Sequence, residues 1–205
     1  MLLKRPPADA FQTLTIFSAE HGVLLALQRV PKPAGRSSTT AKKNPAASPP
    51  LDLFDEVALA LESSNQGRTW FVKEARVIAR PEGIGRSYDA LRLASALAAL
   101  IARNPVHEES RAAVGELLRG AFAAFASAPR PDIVYFKSMY RFARDEGYPV
   151  KEQWFPTLPS ADRAEVVTLL NRPLAEQTAT PELVARYQRR LEEYLRGHTE
   201  ILVSD

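Results

Sequence analysis

Near Arg80 the spacing of apolar side chains changes from every second residue to every third and fourth, and one regular architecture cannot serve both periods. Before that point, FQTLTIF (11–17) and VLLALQRV (23–30) are β-favourable runs joined by the tight connection Ala19-Glu20-His21-Gly22. Residues 51–62 contain VALALE, in which Val57, Leu59 and Leu61 alternate with smaller or polar residues. TWFVKEARVIA (69–79) sets Trp70 and Val72 on one face and Lys73 on the other, so one of Trp70 and Phe71 is expected in the core and its neighbour outside. With a short start at residues 2–5 these runs predict about five strands. Closing them into a small antiparallel barrel removes most of their exposed edges.

After Arg80-Pro81-Glu82-Gly83-Ile84-Gly85 the pattern is helical. Ser87 can cap a helix to about Arg103, in which Leu93, Leu97, Leu100 and Ile101 share a face. A second helix is expected over about 110–126 along Val114, Leu117, Leu118 and Phe122. A third begins near Pro131 and stops at Gly147. Ser160 is expected to cap a fourth, which ends near Arg172-Pro173. Thr180-Pro181-Glu182 opens a fifth, carrying Leu183, Tyr187, Leu191 and Leu195. The expected plan is α+β, with a β-barrel at 1–82 and an all-helical domain at 83–205.

Between the second and third strands, residues 31–50 are rich in Pro, Lys, Ser and Thr and poor in apolar side chains. Such a segment cannot bury enough surface to order itself, so a disordered basic loop is expected. Lengthening a loop from about 5 to 20 residues adds only about 1.2 kcal/mol of closure entropy, which a barrel tolerates. Positive charge is concentrated here: residues 1–86 hold 12 Lys/Arg against 8 Asp/Glu, whereas the remainder holds 15 against 16. A polyanionic partner for the N-terminal part follows, as does an ordinary basic surface.

Several chemistries are excluded by composition. No cysteine is present, which removes disulfides, thiol nucleophiles and cysteine-ligated zinc. His21, His107 and His198 stand far apart with no ligand-like spacing, and no cofactor is implied. Asp145-Glu146 and Glu192-Glu193 are adjacent carboxylates, about 100° apart on a helix, and read as solvated faces. Ser110 reads as a helix cap. Gly83-Ile84-Gly85-Arg86 lacks the third glycine and the βαβ setting of a dinucleotide site. The N-terminus, MLLKRPPADA, lacks the apolar core of a secretory signal, and no apolar run approaches a membrane span, so a cytoplasmic protein is expected.

In order along the chain, Phe17-Ser18-Ala19-Glu20-His21-Gly22, Arg76-Val77-Ile78-Ala79-Arg80 and Ser87-Tyr88-Asp89-Ala90-Leu91 resemble segments of the RecO family of bacterial recombination mediators. Asp145-Glu146-Gly147-Tyr148-Pro149 is similar to that family's Leu-Gly-Tyr-x-Pro segment, and Tyr194-Leu195-Arg196-Gly197-His198 through Ser204 to its closing Tyr-Leu-x-x-His…Ser. Where many relatives place a four-cysteine zinc site, this chain has VKEQWFPTLP (150–159), and its basic loop is longer than usual.

The resemblance implies an oligonucleotide-binding (OB-fold) barrel on a helical domain, without enzymatic activity. It implies binding to single- and double-stranded DNA, strand annealing and, with RecR, loading of RecA onto DNA coated by single-stranded-DNA-binding protein. The acidic tail of that coating protein and RecF are further implied partners, and the setting is DNA repair at the nucleoid. Phosphate contacts are expected from Arg5, Arg29, Lys32, Arg36, Lys42, Lys43, Arg68, Lys73 and Arg76. The alternative is a protein-interaction module of the same architecture with little DNA binding. In it Arg119, Arg130, Lys137 and Arg141 would receive the acidic tail.

Overall fold

The computed structural model describes residues 1–8, 10–30, 50–64 and 69–203. The expected disordered loop, with Lys32, Arg36, Lys42 and Lys43, lies outside the described residues, as does Arg68. The protein is α+β and divides into two units, Met1–Phe17 with Val23–Arg80, and Ser18–Gly22 with Pro81–Asp205.

The first unit is one five-stranded sheet: β1 (Leu3–Lys4), β2 (Phe11–Ser18), β3 (Gly22–Arg29), β4 (Glu56–Ser64) and β5 (Thr69–Ala79). Its order is β1-β2-β3-β5-β4. β1 pairs with β2 and β4 with β5 antiparallel, but β3 and β5 run parallel, with Ala26 beside Trp70 and Leu27 beside Phe71. The sheet is therefore mixed and open, which corrects the expected closed antiparallel barrel. β1 has only two residues, because Pro6 and Pro7 follow almost at once and cannot donate to a ladder. The chain beside the two outer strands is joined at one end: the Met1 ammonium donates to Asp55 O (2.6 Å), and Phe54 N–H donates to Met1 O (3.0 Å).

One face of this sheet is the core. Leu14, Ile16, Ala26 and Leu51 are buried on it, and Val57, Leu59, Leu61, Trp70 and Val72 pack against them. Strand alternation predicts the next inward residue of β5 to be Glu74, yet Ala75 and Val77 face the core instead. The reason is a register shift between Ala60 and Leu61, where β5 carries one extra residue and its parity reverses.

β4 begins at Glu56 rather than Leu51. Residues 51–55 form a turn in which Asp52 N–H donates to Asp55 Oδ2 (2.8 Å) and Leu53 N–H to Asp52 Oδ1 (2.8 Å). Asp55 has no exposed side-chain surface. Its carboxylate accepts both Arg80 Nε (2.7 Å) and Arg80 Nη2 (2.6 Å) in a two-pronged pair, which ties the end of β5 to the start of β4.

The second unit holds α1 (Tyr88–Arg103), α2 (Arg111–Ser127), α3 (Pro131–Asp145), α4 (Ser160–Asn171) and α5 (Pro181–His198). α3 packs on α1, α2 and α5, and nine of its 15 residues are buried, the signature of a central helix. Ser87 caps α1 by accepting Ala90 N–H (3.3 Å), and Thr180 caps α5 by accepting Leu183 N–H (3.3 Å). Gly147, at φ 86°, closes α3 in the left-handed region. Ser160 caps nothing: it is the first residue of α4, and Pro159 stands at the cap position. Gly83 is required for space, since a Cβ there would lie 1.9 Å from Ala126 O at the end of α2.

The VKEQWFPTLP stretch folds as a π-helical turn at Val150–Trp154 followed by a 3-10 turn at Phe155–Thr157. Trp154 is buried there, with its ring centroid 6.5 Å from Phe136 and 5.6 Å from Phe155. Aromatic packing holds this segment. Among the described residues, no three His, Cys, Asp or Glu side chains converge to hold a metal ion. No helix among them is long and apolar enough to cross a membrane.

Candidate nucleic-acid interface

The outward face of the sheet gathers aromatic and basic side chains. Across β2 and β3, Val30 N–H donates to Ala10 O (2.8 Å), a register that sets Phe11 opposite Arg29. The parallel register of β3 and β5 sets Leu27 beside Phe71, and Lys73, the extra residue of β5, pairs with Glu62 on this same face. Phe11, Arg29 and Phe71 thus share the outward face across three strands. There the Phe11 and Phe71 rings meet edge to face, with centroids 5.8 Å apart and planes at 69°. Phe11 is 38% exposed, and Leu25, two residues before Leu27 on the same face, is 55% exposed.

Of the two aromatics at the start of β5, Trp70 packs on the core and Phe71 takes the outward position. Arg76, paired across from Ala58, is exposed further along β5. Arg5 is exposed just after β1, and its N–H donates to Thr13 O (3.0 Å). The structure therefore groups Arg29, Lys73 and Arg76 on one face, with Arg5 across from Thr13 of β2.

Acidic side chains temper this surface. Lys73 forms an ion pair with Glu62 of β4, both more than half exposed (58% and 62%). Glu74, displaced outward by the extra residue in β5, is exposed beside it. Sequence reasoning passed over Phe11 and Glu62. Phe11 was readable from parity alone, because Leu14 and Ile16 face inward and odd-numbered β2 residues face outward. Glu62 carries no local signal, since its pairing with Lys73 depends on the β4–β5 register.

The basic residues assigned to a partner surface in the helical unit are occupied. Arg130 donates to both Asp132 oxygens (2.9 and 2.7 Å) and to Ala179 O (2.6 Å). The hydrogen bond to Asp132 raises its pKa further. Lys137 Nζ donates to Arg172 O (2.7 Å), and burial lowers its pKa. Arg141 donates to Asp145 Oδ2 (3.2 Å), and Arg119 pairs with Glu116. These contacts brace α3 against the chain at 172–179 or run along a single helix.

Two other polar groupings lie in the helical unit. Glu146 is buried, not solvated: it accepts His107 N–H (3.1 Å), His107 Nδ1 (2.7 Å) and the Ser110 hydroxyl. Ser110 consequently makes no helix-cap bond, which corrects its expected role. The Ser110 hydroxyl binds the carboxylate and the His107 carbonyl (2.9 Å), and the His107 ring binds the carboxylate, which is not a nucleophile–base arrangement. Between α4 and α5 an open cleft of about 320 Å³ is lined by Glu165, Leu169, Thr180 and Tyr187. Its carboxylate is held by the Tyr187 hydroxyl (2.8 Å), and burial pushes that phenol up to about 12. A comparison with protein-family models and with curated proteins finds no family model and no curated protein that matches this chain.

Proposed function

We propose that this protein binds DNA through the outward face of its sheet and serves as a non-enzymatic recombination mediator of the RecO kind. The observation that carries the reading is the Phe11–Phe71 ring pair with Arg29 opposite Phe11 and Lys73 on the same face, an aromatic and basic surface on a five-stranded sheet. Oligonucleotide-binding barrels are five-stranded and only partly open, and they bind nucleic acid on the face of their second and third strands. Rolling this sheet until β1 meets β4 would complete such a barrel. The Met1 bonds to Phe54 and Asp55 already join those two edges at one end.

Arg5, Arg29, Lys73 and Arg76 neutralise phosphates in this reading, together with Lys32, Arg36, Lys42, Lys43 and Arg68. Such contacts position a strand without reading its sequence. Partners would be single- and double-stranded DNA, RecR, RecA, RecF and the acidic tail of single-stranded-DNA-binding protein. A tail-binding module built on Arg119, Arg130, Lys137 and Arg141 is favoured less, because each of these cations is already bonded within its own unit.

Annealing of complementary strands precoated with single-stranded-DNA-binding protein tests the mediator, which should accelerate it. The accompanying salt titration by fluorescence anisotropy should give a log–log slope near −4 if about six phosphates are engaged on single strands. A flat salt response together with inert annealing refutes the reading.

A further inference from the structure

On the basis of that reading, we infer that the sheet face selects single strands over duplex, with Phe11 and Phe71 as the platform for unpaired bases. Charge alone is a poor reason for DNA to stay on this face. Lys73 is already paired with Glu62, and Glu74 adds a second carboxylate beside it. Among the described residues of this face, Arg5, Arg29 and Arg76 remain as the exposed cations with which that acidic pair must be balanced. A duplex offers this surface only phosphates, because its bases are stacked on one another.

A single strand offers ring faces as well. Phe11 is exposed and Phe71 half-buried beside their edge-to-face contact, so the pair leaves ring area on which bases can stack. Leu25 extends the apolar surface along β3, and Arg29 stands directly opposite Phe11, where a base on that ring would bring its phosphate. Stacking of one base on an aromatic side chain strengthens binding about 5- to 150-fold and does not depend on which base it is. That gain exceeds what one or two partly neutralised phosphate contacts provide.

The test uses the full chain, a fluorescein-labelled oligothymidine of about 15 nucleotides, a duplex of the same length and an abasic deoxyribose-phosphate oligomer. The unaltered protein should bind oligothymidine at least about 10-fold more tightly than the duplex or the abasic oligomer. Phe11→Leu with Phe71→Leu keeps apolar volume but removes the rings. It should weaken oligothymidine binding about 10- to 100-fold and leave the duplex within about 2-fold. Arg29→Gln should weaken both.

If the double variant loses stability, the abasic oligomer still decides the matter on the unaltered protein. Equal affinity for oligothymidine and the abasic oligomer overturns the inference while leaving DNA binding in place. An equal loss on single strand and duplex in the double variant overturns it too. No binding to any probe overturns the DNA-binding reading itself, and this inference with it.

Discussion

Removing the guanidinium of Arg80 should destabilise the sheet unit by an amount that depends on pH. Asp55 is fully enclosed and receives two hydrogen bonds from Arg80 and one from Asp52 N–H. Arg80→Met keeps the aliphatic bulk and leaves a buried carboxylate with a single donor. Breaking a buried pair from one side costs about 3–5 kcal/mol. Arg80 is itself 39% exposed, so water can partly replace it, and the lower figure of about 3 kcal/mol applies. For a unit of this size that corresponds to roughly 12–24 °C in melting temperature.

The pH dependence has a definite sign. Burial pushes the Asp55 carboxyl up, but the bonds from Arg80 and Asp52 outweigh it and hold the carboxyl below its ordinary value. Its contribution in the native chain is therefore present above the unfolded pKa of about 4 and lost as pH falls through the lower folded value. In Arg80→Met burial is opposed much less, and the carboxyl rises. Folding then takes up a proton, and the variant gains stability as pH falls from neutral toward about 4. The gap between the two proteins should narrow on acidification. Each unit has one tryptophan, so urea unfolding in a Trp154→Phe background reports the sheet through Trp70. A gap below about 1 kcal/mol, or one equal at pH 4 and pH 7, refutes the reasoning.

Three further outcomes are expected. Gly83→Ala forces a methyl group against Ala126 O and should cost about 1–3 kcal/mol in thermal melts followed by helical circular dichroism; an unchanged melt would mean the turn yields freely. Trp154→Ala should cost about 3–5 kcal/mol of helical-unit stability in urea, because that side chain holds the 150–157 segment against α3. Glu62→Gln releases Lys73 and should change stability by less than about 1 kcal/mol. It should also tighten DNA binding and steepen the salt slope by about 0.7, and an unaltered slope would place Lys73 away from phosphate.

Helix ends were readable where the signal is local. Ser87, Thr180 and Gly147 each act on residues within one turn, and each does what its type and position suggested. Ser110 failed because Glu146, 36 residues away, takes its hydroxyl, and a long-range carboxylate leaves no mark on the local pattern. All five strands were visible as β-favourable runs, but the arrangement was not. The pairing of Ala26 with Trp70 joins distant residues, and nothing in either run says parallel. Alternation separated Trp70 from Phe71, then misled beyond Val72, where one extra residue exchanges the two faces. The Asp55–Arg80 pair was invisible for the same reason as Ser110: an acid in DLFDE looks like any surface acid until the turn encloses it.

The brevity of β1 has a consequence for how this chain behaves in a crowd. Because two prolines end that strand early, β4 finishes the sheet with nine residues of backbone that no strand pairs on one side among the described residues. An unpaired edge of that length is a template on which another copy could add its own strand and begin an aggregate. The defence is built into β4 itself: irregularities next to Glu56 and Ala60 break its flatness. Straightening them would leave a flat edge on which a second copy adds its strand more readily.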